Sequence, residues 1–285
     1  MDETDFIFSD DAWGSRIGGK AIDYALDEEL RHDLNHDAVR KFIHEKNALL
    51  AMWTYDYDCG EEGPWYRFVC DIANYDIDKI KNKKGRYYVR RSLKNCTIRN
   101  VSYQWLADNA YEVYVSAGSR YSNFVPYPRK MFEKIKHKLS KEPGREAWGI
   151  FVDEKLVAYA TVLIRGEKVY VAESKFDPSY SKFYPMYALY YAISHHYLNE
   201  RGYRAIDNGS RPLLHDTNIG DFLLRLGWRK AYCRLGIYFT WRVRAVLIIA
   251  RMFRKVGKLF LSSRQYAILE SILWAQDIAK ATKKH

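Results

Sequence analysis

The stretch WGIFVDEKLVAYATVLIRGEKVYVAESKF, residues 148–176, decides the fold class. It contains three segments rich in β-branched and aromatic residues, Trp148–Val152, Leu156–Arg165 and Lys168–Phe176, separated by the short turns DEK and GE. Short polar turns between such segments are typical of neighbouring antiparallel strands. The stretch therefore predicts a three-stranded antiparallel sheet.

Helices and short strands follow this sheet. Pro185–Glu200 predicts a helix, because proline stands at its first turn and Gly202 lies just past its end. Ala205–Asn208 predicts a short strand, and Asp216–Leu226 predicts a second helix that ends at a glycine. One or two closing strands are expected in Trp228–Thr240.

The preceding residues predict more mixed structure. Ala48–Tyr57 and Trp65–Asp71 flank the turn-forming segment CGEEGP and predict a β-hairpin. Ile77–Leu93 predicts a basic helix or a pair of helices, bent or broken near Gly85. Tyr103–Ala117 and Arg129–Leu139 predict two further helices.

The segment Trp241–Leu261 predicts a basic amphipathic helix. Its apolar residues occupy a wide arc, and a narrower stripe is basic. We expect the apolar arc to pack on the protein, with Ser263–Lys280 as a helical partner and the basic stripe outside. Contact with an acidic membrane or with RNA phosphates remains an alternative. The stripe consists of Arg244, Arg251, Arg254, Lys255 and Lys258.

Composition indicates a globular protein. Of 285 residues, 48% are hydrophobic and only 7 are Pro and 16 Gly, which excludes disordered and collagen-like classes. The 4 cysteines form no CxxC pair, so we expect reduced thiols and no metal site. The start, MDETDFIFSDD, has no apolar leader, and no segment is long enough to span a membrane. We expect a cytoplasmic protein, with peripheral contact at the inner face of the membrane as an alternative.

Charge is distributed unevenly along the chain. Residues 1–80 hold 8 Lys+Arg and 19 Asp+Glu, a net charge of −11, whereas the remaining residues hold 38 and 16, a net charge of +22. A field of that sign attracts anions such as nucleotides, coenzyme A, tRNA or acidic lipids. Docking of the basic part on the acidic part is an equally good interpretation.

The order of three antiparallel strands, helix, strand, helix and strand, with RG after the long helix and LGW after the next, resembles the GNAT acyltransferase fold. The resemblance covers about residues 148–230. The phrases YPMYALYYAISHHYLNERGYRAIDNGS and DIDKIKNKKGRYYVRRSLKNCTIRNVS resemble the FemAB-like branch, in which two GNAT-like units share one chain. The resemblance implies an α/β fold with a mixed, mostly antiparallel sheet flanked by helices.

The implied domains are a diverged N-terminal half-unit over residues 1–96, a GNAT-like domain over 97–240 and a C-terminal helical pair over 241–285. The resemblance also implies a site. The donor thioester lies where the fourth strand of the GNAT unit separates from the fifth, and its pyrophosphate lies at the start of the following helix. Here that loop reads SKFYPMY and contains no glycine. The donor-binding residues that the resemblance implies are Phe176, Ser181, Lys182, Phe183 and Tyr184. Helix capping and packing, without an anion, is the alternative for this loop.

Two residues are candidates for proton transfer. Glu173 lies on the strand that borders the acyl gap and is the candidate general base, although a solvated or ion-paired strand glutamate is the alternative. In the resemblance, Leu223 occupies the position of the usual GNAT tyrosine and cannot donate a proton. Tyr232 is the candidate general acid, with another of the 24 tyrosines as the alternative. The loop DNGSRPLLHDT offers donors and an imidazole for an acceptor, through Asn208, Ser210, Arg211 and His215.

The function these expectations favour is acyl transfer from acetyl-CoA or another acyl-CoA, without a metal. The resemblance implies N- or O-acetylation of a sugar or amino sugar, free or lipid-linked, in surface-polysaccharide synthesis. Two alternatives stay open. One is an aminoacyl-tRNA-dependent transferase of the FemAB-like kind, which would explain the basic charge, and the other is a non-catalytic binding protein that retains the fold.

Overall fold

The computed structural model describes residues 13–16, 21–24, 30–120, 124–211, 218–252 and 261–283. The described residues form eleven strands and nine α-helices. The strands are β1 Trp13–Arg16, β2 Ala21–Tyr24, β3 Leu50–Tyr55, β4 Tyr66–Cys70, β5 Thr97–Val101, β6 Arg145–Val152, β7 Lys155–Arg165, β8 Lys168–Phe176, β9 Ala205–Ser210, β10 Arg229–Tyr232 and β11 Arg234–Phe239. The helices are α1 His36–Glu45, α2 Lys83–Asn95, α3 Tyr103–Asn109, α4 Tyr111–Gly118, α5 Arg129–Leu139, α6 Pro185–His195, α7 Ile219–Arg225, α8 Trp241–Met252 and α9 Ser263–Thr282.

The central meander of the sequence forms as expected. Strands β5, β6, β7 and β8 are successive antiparallel neighbours, and β9 then pairs with β8 in parallel. They belong to a seven-stranded sheet in the order β10-β4-β9-β8-β7-β6-β5. The predicted mixed, mostly antiparallel sheet flanked by helices is confirmed.

The chain divides into two compact units. Unit 1 contains residues 1–67, 210–217 and 231–285, and unit 2 contains residues 68–209 and 218–230. This division differs from the three consecutive segments predicted from the sequence. The physical reason is the pairing of β11 with β3, which join from Arg234 opposite Tyr55 to Phe239 opposite Leu50. That ladder brings the late part of the chain into the same sheet as the early part.

The predicted hairpin of residues 48–57 and 65–71 is wrong. Strand β3 lies between β2 and β11 in a four-stranded sheet, whereas β4 lies between β10 and β9 in the seven-stranded sheet. The connection between the two strands contains three residues with positive φ, namely Asp56, Asp58 and Gly60. It therefore redirects the chain from one sheet to the other, which a tight hairpin turn would not do.

The helices of unit 2 differ from the predictions only in detail. The expected basic helix is a 3-10 turn at Ile77–Lys79 followed by α2. Its glycine, Gly85, is not a break, because a Cβ placed there would meet the carbonyl oxygen of Arg225 at 2.1 Å. Gly85 thus permits close packing of α2 on α7. The helix predicted over 103–117 is split into α3 and α4 at Ala110.

The C-terminal helices pack within unit 1. Helix α8 buries Leu247, which is 3% exposed, in a cluster with Phe239 of β11 and Leu273 of α9. Docking of α8 on the protein is therefore confirmed, but its large apolar residues Trp241 and Met252 remain exposed. The predicted stripe beyond Met252, namely Arg254, Lys255 and Lys258, lies outside the described residues.

Candidate active site

Strands β8 and β9 separate after a short parallel contact. Lys168, Val169 and Tyr170 lie opposite Ala205, Ile206 and Asp207. Strand β8 continues to Phe176 and β9 continues to Ser210, and these described residues form no further ladder pairs with each other. The two strands thus lose their ladder pairing beyond Tyr170 and Asp207.

Three hydrogen-bonded side chains connect β8 and β9 where their ladder pairing has ended. The hydroxyl of Tyr190 on α6 donates to Oδ1 of Asn208 on β9 at 2.6 Å and lies 3.0 Å from Oγ of Ser174 on β8. Tyr190 is fully buried, and burial raises its pKa to about 12. The neutral phenol therefore links the separated strands at physiological pH. The sequence predicted that Asn208 contacts the acyl-acceptor substrate. In the structure its amide oxygen accepts the hydrogen bond from Tyr190.

Glu173 lies beside a β-bulge of the same strand. It is opposite Thr161, but the next pair is Val162 with Val171, so Ala172 has no partner in the β7–β8 ladder. The carboxylate accepts a hydrogen bond from the hydroxyl of Tyr159 at 3.2 Å. It also forms an ion pair with Nζ of Lys136 from α5, whose side chain is 8% exposed, whereas the Glu173 side chain is 23% exposed. Glu173 is thus held by groups from a strand and a helix and still reaches solvent.

Buried tyrosines surround this carboxylate. Burial, followed by the negative charge of Glu173, raises the pKa of Tyr159 well above its usual value. Burial also raises the pKa of Tyr103, whose hydroxyl interacts with Thr161. Both tyrosines therefore stay protonated, so Tyr159 can act as a hydrogen-bond donor to Glu173 but not as a base.

The loop before α6 is ordered by side chains. Oδ1 of Asp177 accepts hydrogen bonds from the backbone N–H of Ser179 at 3.0 Å and from Oγ of Ser116 at 2.7 Å. The loop forms a 3-10 turn over Pro178–Phe183 and ends at Tyr184, whose φ of 57° is left-handed. This conformation suits glycine better than tyrosine, so the tertiary structure holds it.

Aromatic packing supplies that support. The ring of Tyr88 on α2 stacks on Tyr184 with centroids 4.5 Å apart, and the guanidinium of Arg91 lies 5.4 Å from the Tyr184 ring. Lys182 is exposed, with Nζ 5.0 Å from the Phe183 ring. Two cations therefore flank the loop where a donor phosphate is expected.

The other predicted donor residues have separate surroundings. The carbonyl of Ser181 accepts from the N–H of Tyr184 at 3.0 Å, and the carbonyl of Phe183 accepts from Sγ of Cys96 at 3.7 Å. The ring of Phe176 lies 4.8 Å from the guanidinium of Arg120. These backbone groups are already used within the protein.

The remaining predicted residues do not lie in unit 2. Tyr232, Ser210 and Arg211 belong to unit 1, and His215 lies outside the described residues. The guanidinium of Arg211 is 4.4 Å from the ring centroid of Trp274 and donates to the carbonyl of Pro64 at 3.0 Å. Burial and a nearby glutamate raise the pKa of Tyr232. Tyr232 therefore remains a proton donor at neutral pH.

Sequence reasoning missed three residues of the site, namely Lys136, Tyr159 and Tyr190. A signal existed for Lys136, because it lies four residues after the buried Phe132 and so shares the apolar face of α5. A lysine on an apolar face needs a partner, since a buried unpaired charge is costly. Tyr159 and Tyr190 lie within apolar segments, so the sequence pattern is equally typical of residues in the hydrophobic core.

The described residues hold no group of three His, Cys, Asp or Glu side chains able to bind a metal ion. Of the helices that the structure describes, none is long and apolar enough to cross a membrane.

Comparison with known proteins agrees with this geometry. Residues 83–213 match the family model of the acetyltransferase (GNAT) domain. No curated protein sequence matches the chain significantly. The structure is similar to that of FemX, with a TM-score of 0.55 and 12% identity, over 83% of this chain and 85% of that one.

It is also similar to the C-terminal domain, DUF2156, of a protein from Agrobacterium fabrum described as a lysylphosphatidylglycerol synthetase. That TM-score is 0.50, with 12% identity over 85% of this chain and 83% of the other. At 12% identity, these two similarities show the fold alone. Residues 83–213 therefore match a GNAT acetyltransferase domain, and the fold of the chain is similar to that of FemX.

Proposed function

We propose that this chain transfers an acetyl group from acetyl-CoA to an amine or hydroxyl group of a sugar or amino sugar used in surface-polysaccharide synthesis. The observation that carries the proposal is Glu173, a half-buried carboxylate beside the bulge of β8, where the ladder pairing of that strand with β9 has ended. The sugar class is taken from the resemblance of the sequence to FemAB-like proteins. Acyl transfer itself is the shared activity of the family.

In the proposed mechanism, Glu173 accepts a proton from the acceptor nitrogen or oxygen as that atom attacks the thioester carbonyl. A C–N or C–O bond forms, the C–S bond breaks, and the thiolate leaves with a proton. Backbone N–H groups near the bulge at Ala172 are suited to polarise the carbonyl oxygen, because that residue has no ladder partner there.

Lys136 and Tyr159 are positioning residues in this scheme. The ion pair with Lys136 and the hydrogen bond from Tyr159 engage both carboxylate oxygens, Oε2 and Oε1. Such a pair of contacts fixes the orientation of the carboxylate plane. A base held in one orientation needs no rearrangement before proton transfer.

In this proposal, the loop before α6 binds the phosphates of the donor with its side chains more than with its backbone N–H groups. Lys182 and Arg91 flank it and would contact the donor pyrophosphate. Pro185 at the first position of α6 has no N–H to offer, and the loop has no glycine to let a phosphate approach closely. A thioester of coenzyme A would therefore bind mainly by charge.

A second candidate donor is an aminoacyl-tRNA, favoured by the surface of α2. This helix has no acidic residue, carries six cations and exposes the ring of Tyr87 by 54%. Cations that neutralise phosphates, interleaved with a ring on which a base can stack, are typical of single-stranded RNA contacts. The cations are Lys83, Lys84, Arg86, Arg90, Arg91 and Lys94.

A ligand panel combined with one variant tests these proposals. Acetyl-CoA should raise the melting temperature of the protein, whereas steeply salt-dependent binding of aminoacyl-tRNA would favour the second donor. Glu173→Gln should lower turnover by roughly two to four orders of magnitude, because the carboxylate base is lost while its size is kept. Glu167→Gln is the matched control, since Glu167 lies in the exposed turn before β8.

Near-normal turnover of Glu173→Gln would overturn the assignment of the base. Absence of any ligand effect in the panel, together with no acyl transfer to amino sugars, would favour a binding protein that retains the fold.

A further inference from the structure

Helix α8 of unit 1 presents an apolar face to solvent. Trp241 is 74% exposed, Ile248 63%, Ile249 58% and Met252 75%. At 100° per residue these four side chains fall within an arc of about 100°, and Ala245 lies inside the same arc. They therefore form one continuous surface along the helix and not a scatter of single exposed residues.

This face remains after the helix has already docked. The opposite side of α8 buries Leu247 in the cluster that contains Leu50, Phe239 and Leu273. The helix is thus anchored by one face and exposes the other. Contact between a continuous apolar face and water is unfavourable. An exposed apolar face of this kind is typical of an interaction surface.

The charge around the face indicates what it contacts. From Trp241 to Arg264 the sequence contains seven Lys and Arg residues and no Asp or Glu. Arg242 is exposed beside the ring of Trp241, with its guanidinium 5.5 Å from the ring centroid. Arg251 and Arg244 are directed back to the protein, through an ion pair with Asp277 and a hydrogen bond to the carbonyl of Phe239, respectively.

We propose that this face of α8 inserts into the surface of a membrane that contains anionic lipids. Apolar side chains would enter the boundary between headgroups and acyl chains, with Trp241 at the interface and Arg242 against lipid phosphates. A second copy of the chain fits less well, because pairing two such faces would bring together two segments with no acidic residue. Nucleic acid fits less well, because aliphatic side chains such as Ile248 and Ile249 do not neutralise phosphates. The proposal is independent of the acyl acceptor and donor.

The test uses the full chain and vesicles of phosphatidylcholine with or without 30 mol% phosphatidylglycerol, a fraction chosen on the order of natural anionic content. The wild type should co-sediment with the anionic vesicles and bind neutral ones at least about tenfold more weakly. The triple variant Ile248→Gln, Ile249→Gln, Met252→Gln keeps the charge and removes apolar area, so its partition should fall by about tenfold or more.

A matched control replaces the exposed residues Val125 and Met131 of unit 2, which are 80% and 48% exposed, with Gln. It should bind vesicles like the wild type. Arg242→Gln should weaken binding to anionic vesicles by about fivefold and leave binding to neutral vesicles unchanged, since roughly 1 kcal/mol per cation is lost. Melting temperatures within a few degrees of the wild type would show that the variants fold.

Several outcomes would overturn the proposal. Wild-type protein that stays in the supernatant with anionic vesicles at low salt would refute it. So would a triple variant that binds them normally. If the triple variant instead changes the sedimentation coefficient of the protein in the absence of lipid, the face pairs two copies. If it weakens tRNA binding and not vesicle binding, the face contacts nucleic acid.

Discussion

Replacing Lys136 with methionine tests whether the pair with Glu173 holds the candidate site together. Methionine keeps the length and apolar stem of the side chain and removes the ammonium group. The Glu173 carboxylate would then lose its buried partner while the hydrogen bond from Tyr159 stays available. The site would retain its shape and lose its charge balance.

The structure sets the size of this effect. Removing one partner of a fully buried ion pair costs about 3 to 5 kcal/mol. Glu173 is 23% exposed, so water can partly replace the lost ammonium, and the lower end of that range applies. For a protein of this size, about 3 kcal/mol corresponds to a fall in melting temperature of roughly 6 to 12 °C.

Urea unfolding followed by circular dichroism, with thermal melting beside it, measures the change. Lys138→Met on the same helix is the control, because Lys138 is exposed and should cost less than about 0.5 kcal/mol. The double variant Lys136→Met, Glu173→Gln should be more stable than the sum of the two single changes by at least about 1 kcal/mol.

Two results would refute the reasoning. One is a Lys136→Met protein as stable as Lys138→Met. The other is a double variant whose loss of stability equals the sum of the single losses, since the two side chains would then act independently.

Three further changes have definite expected outcomes. Tyr190→Phe removes the hydroxyl that links β8 to β9 and should lower the free energy of unfolding by about 1 to 2 kcal/mol in urea titrations; an unchanged midpoint would contradict the role of that link. Lys182→Glu should weaken acetyl-CoA binding by about tenfold in calorimetry, whereas the exposed Lys134→Glu should not; equal affinities would place the donor phosphates elsewhere. A hydrogen bond from Tyr191 lowers the pKa of Asp76 below its usual 3.8. The ionised carboxylate therefore stabilises the fold above about pH 4, and this contribution is lost as the pH falls through the lower pKa of the folded state. Tyr191→Phe should therefore lose more stability at pH 5 than at pH 2, and a pH-independent difference would exclude the mechanism.

The sequence predicts local structure well where turns and caps carry the information. The meander of residues 148–176 and the start of α6 at Pro185 agree with the structure within a few residues. The end of the helical segment agrees as well, because Gly202 adopts a φ of 67° just after the π turn His196–Glu200. These features depend on neighbouring residues alone.

Pairings between distant residues were not predictable from one sequence. Strand β3 has the composition of a strand, but nothing in it distinguishes β4 from β11 as its partner. The link from Tyr190 to Ser174 and Asn208 depends on the register of two strands and the rotation of α6. Glu173 could be placed on its strand, but its contact with Lys136 joins residues whose separation in the chain carries no periodic signal.

The ladder between β3 and β11 also sets an order of events during synthesis. Strand β3 is complete at Tyr55, whereas its partner begins at Arg234. At about 5 to 20 residues per second, roughly 9 to 36 seconds of translation separate them. During that time the ribosome synthesises residues 68–209, the long continuous stretch of unit 2. Trp53 of β3 meanwhile lacks β11, the strand that pairs with it. A ribosome that pauses before Arg234 would therefore leave unit 1 open to chaperones and proteases even when most of unit 2 has been made.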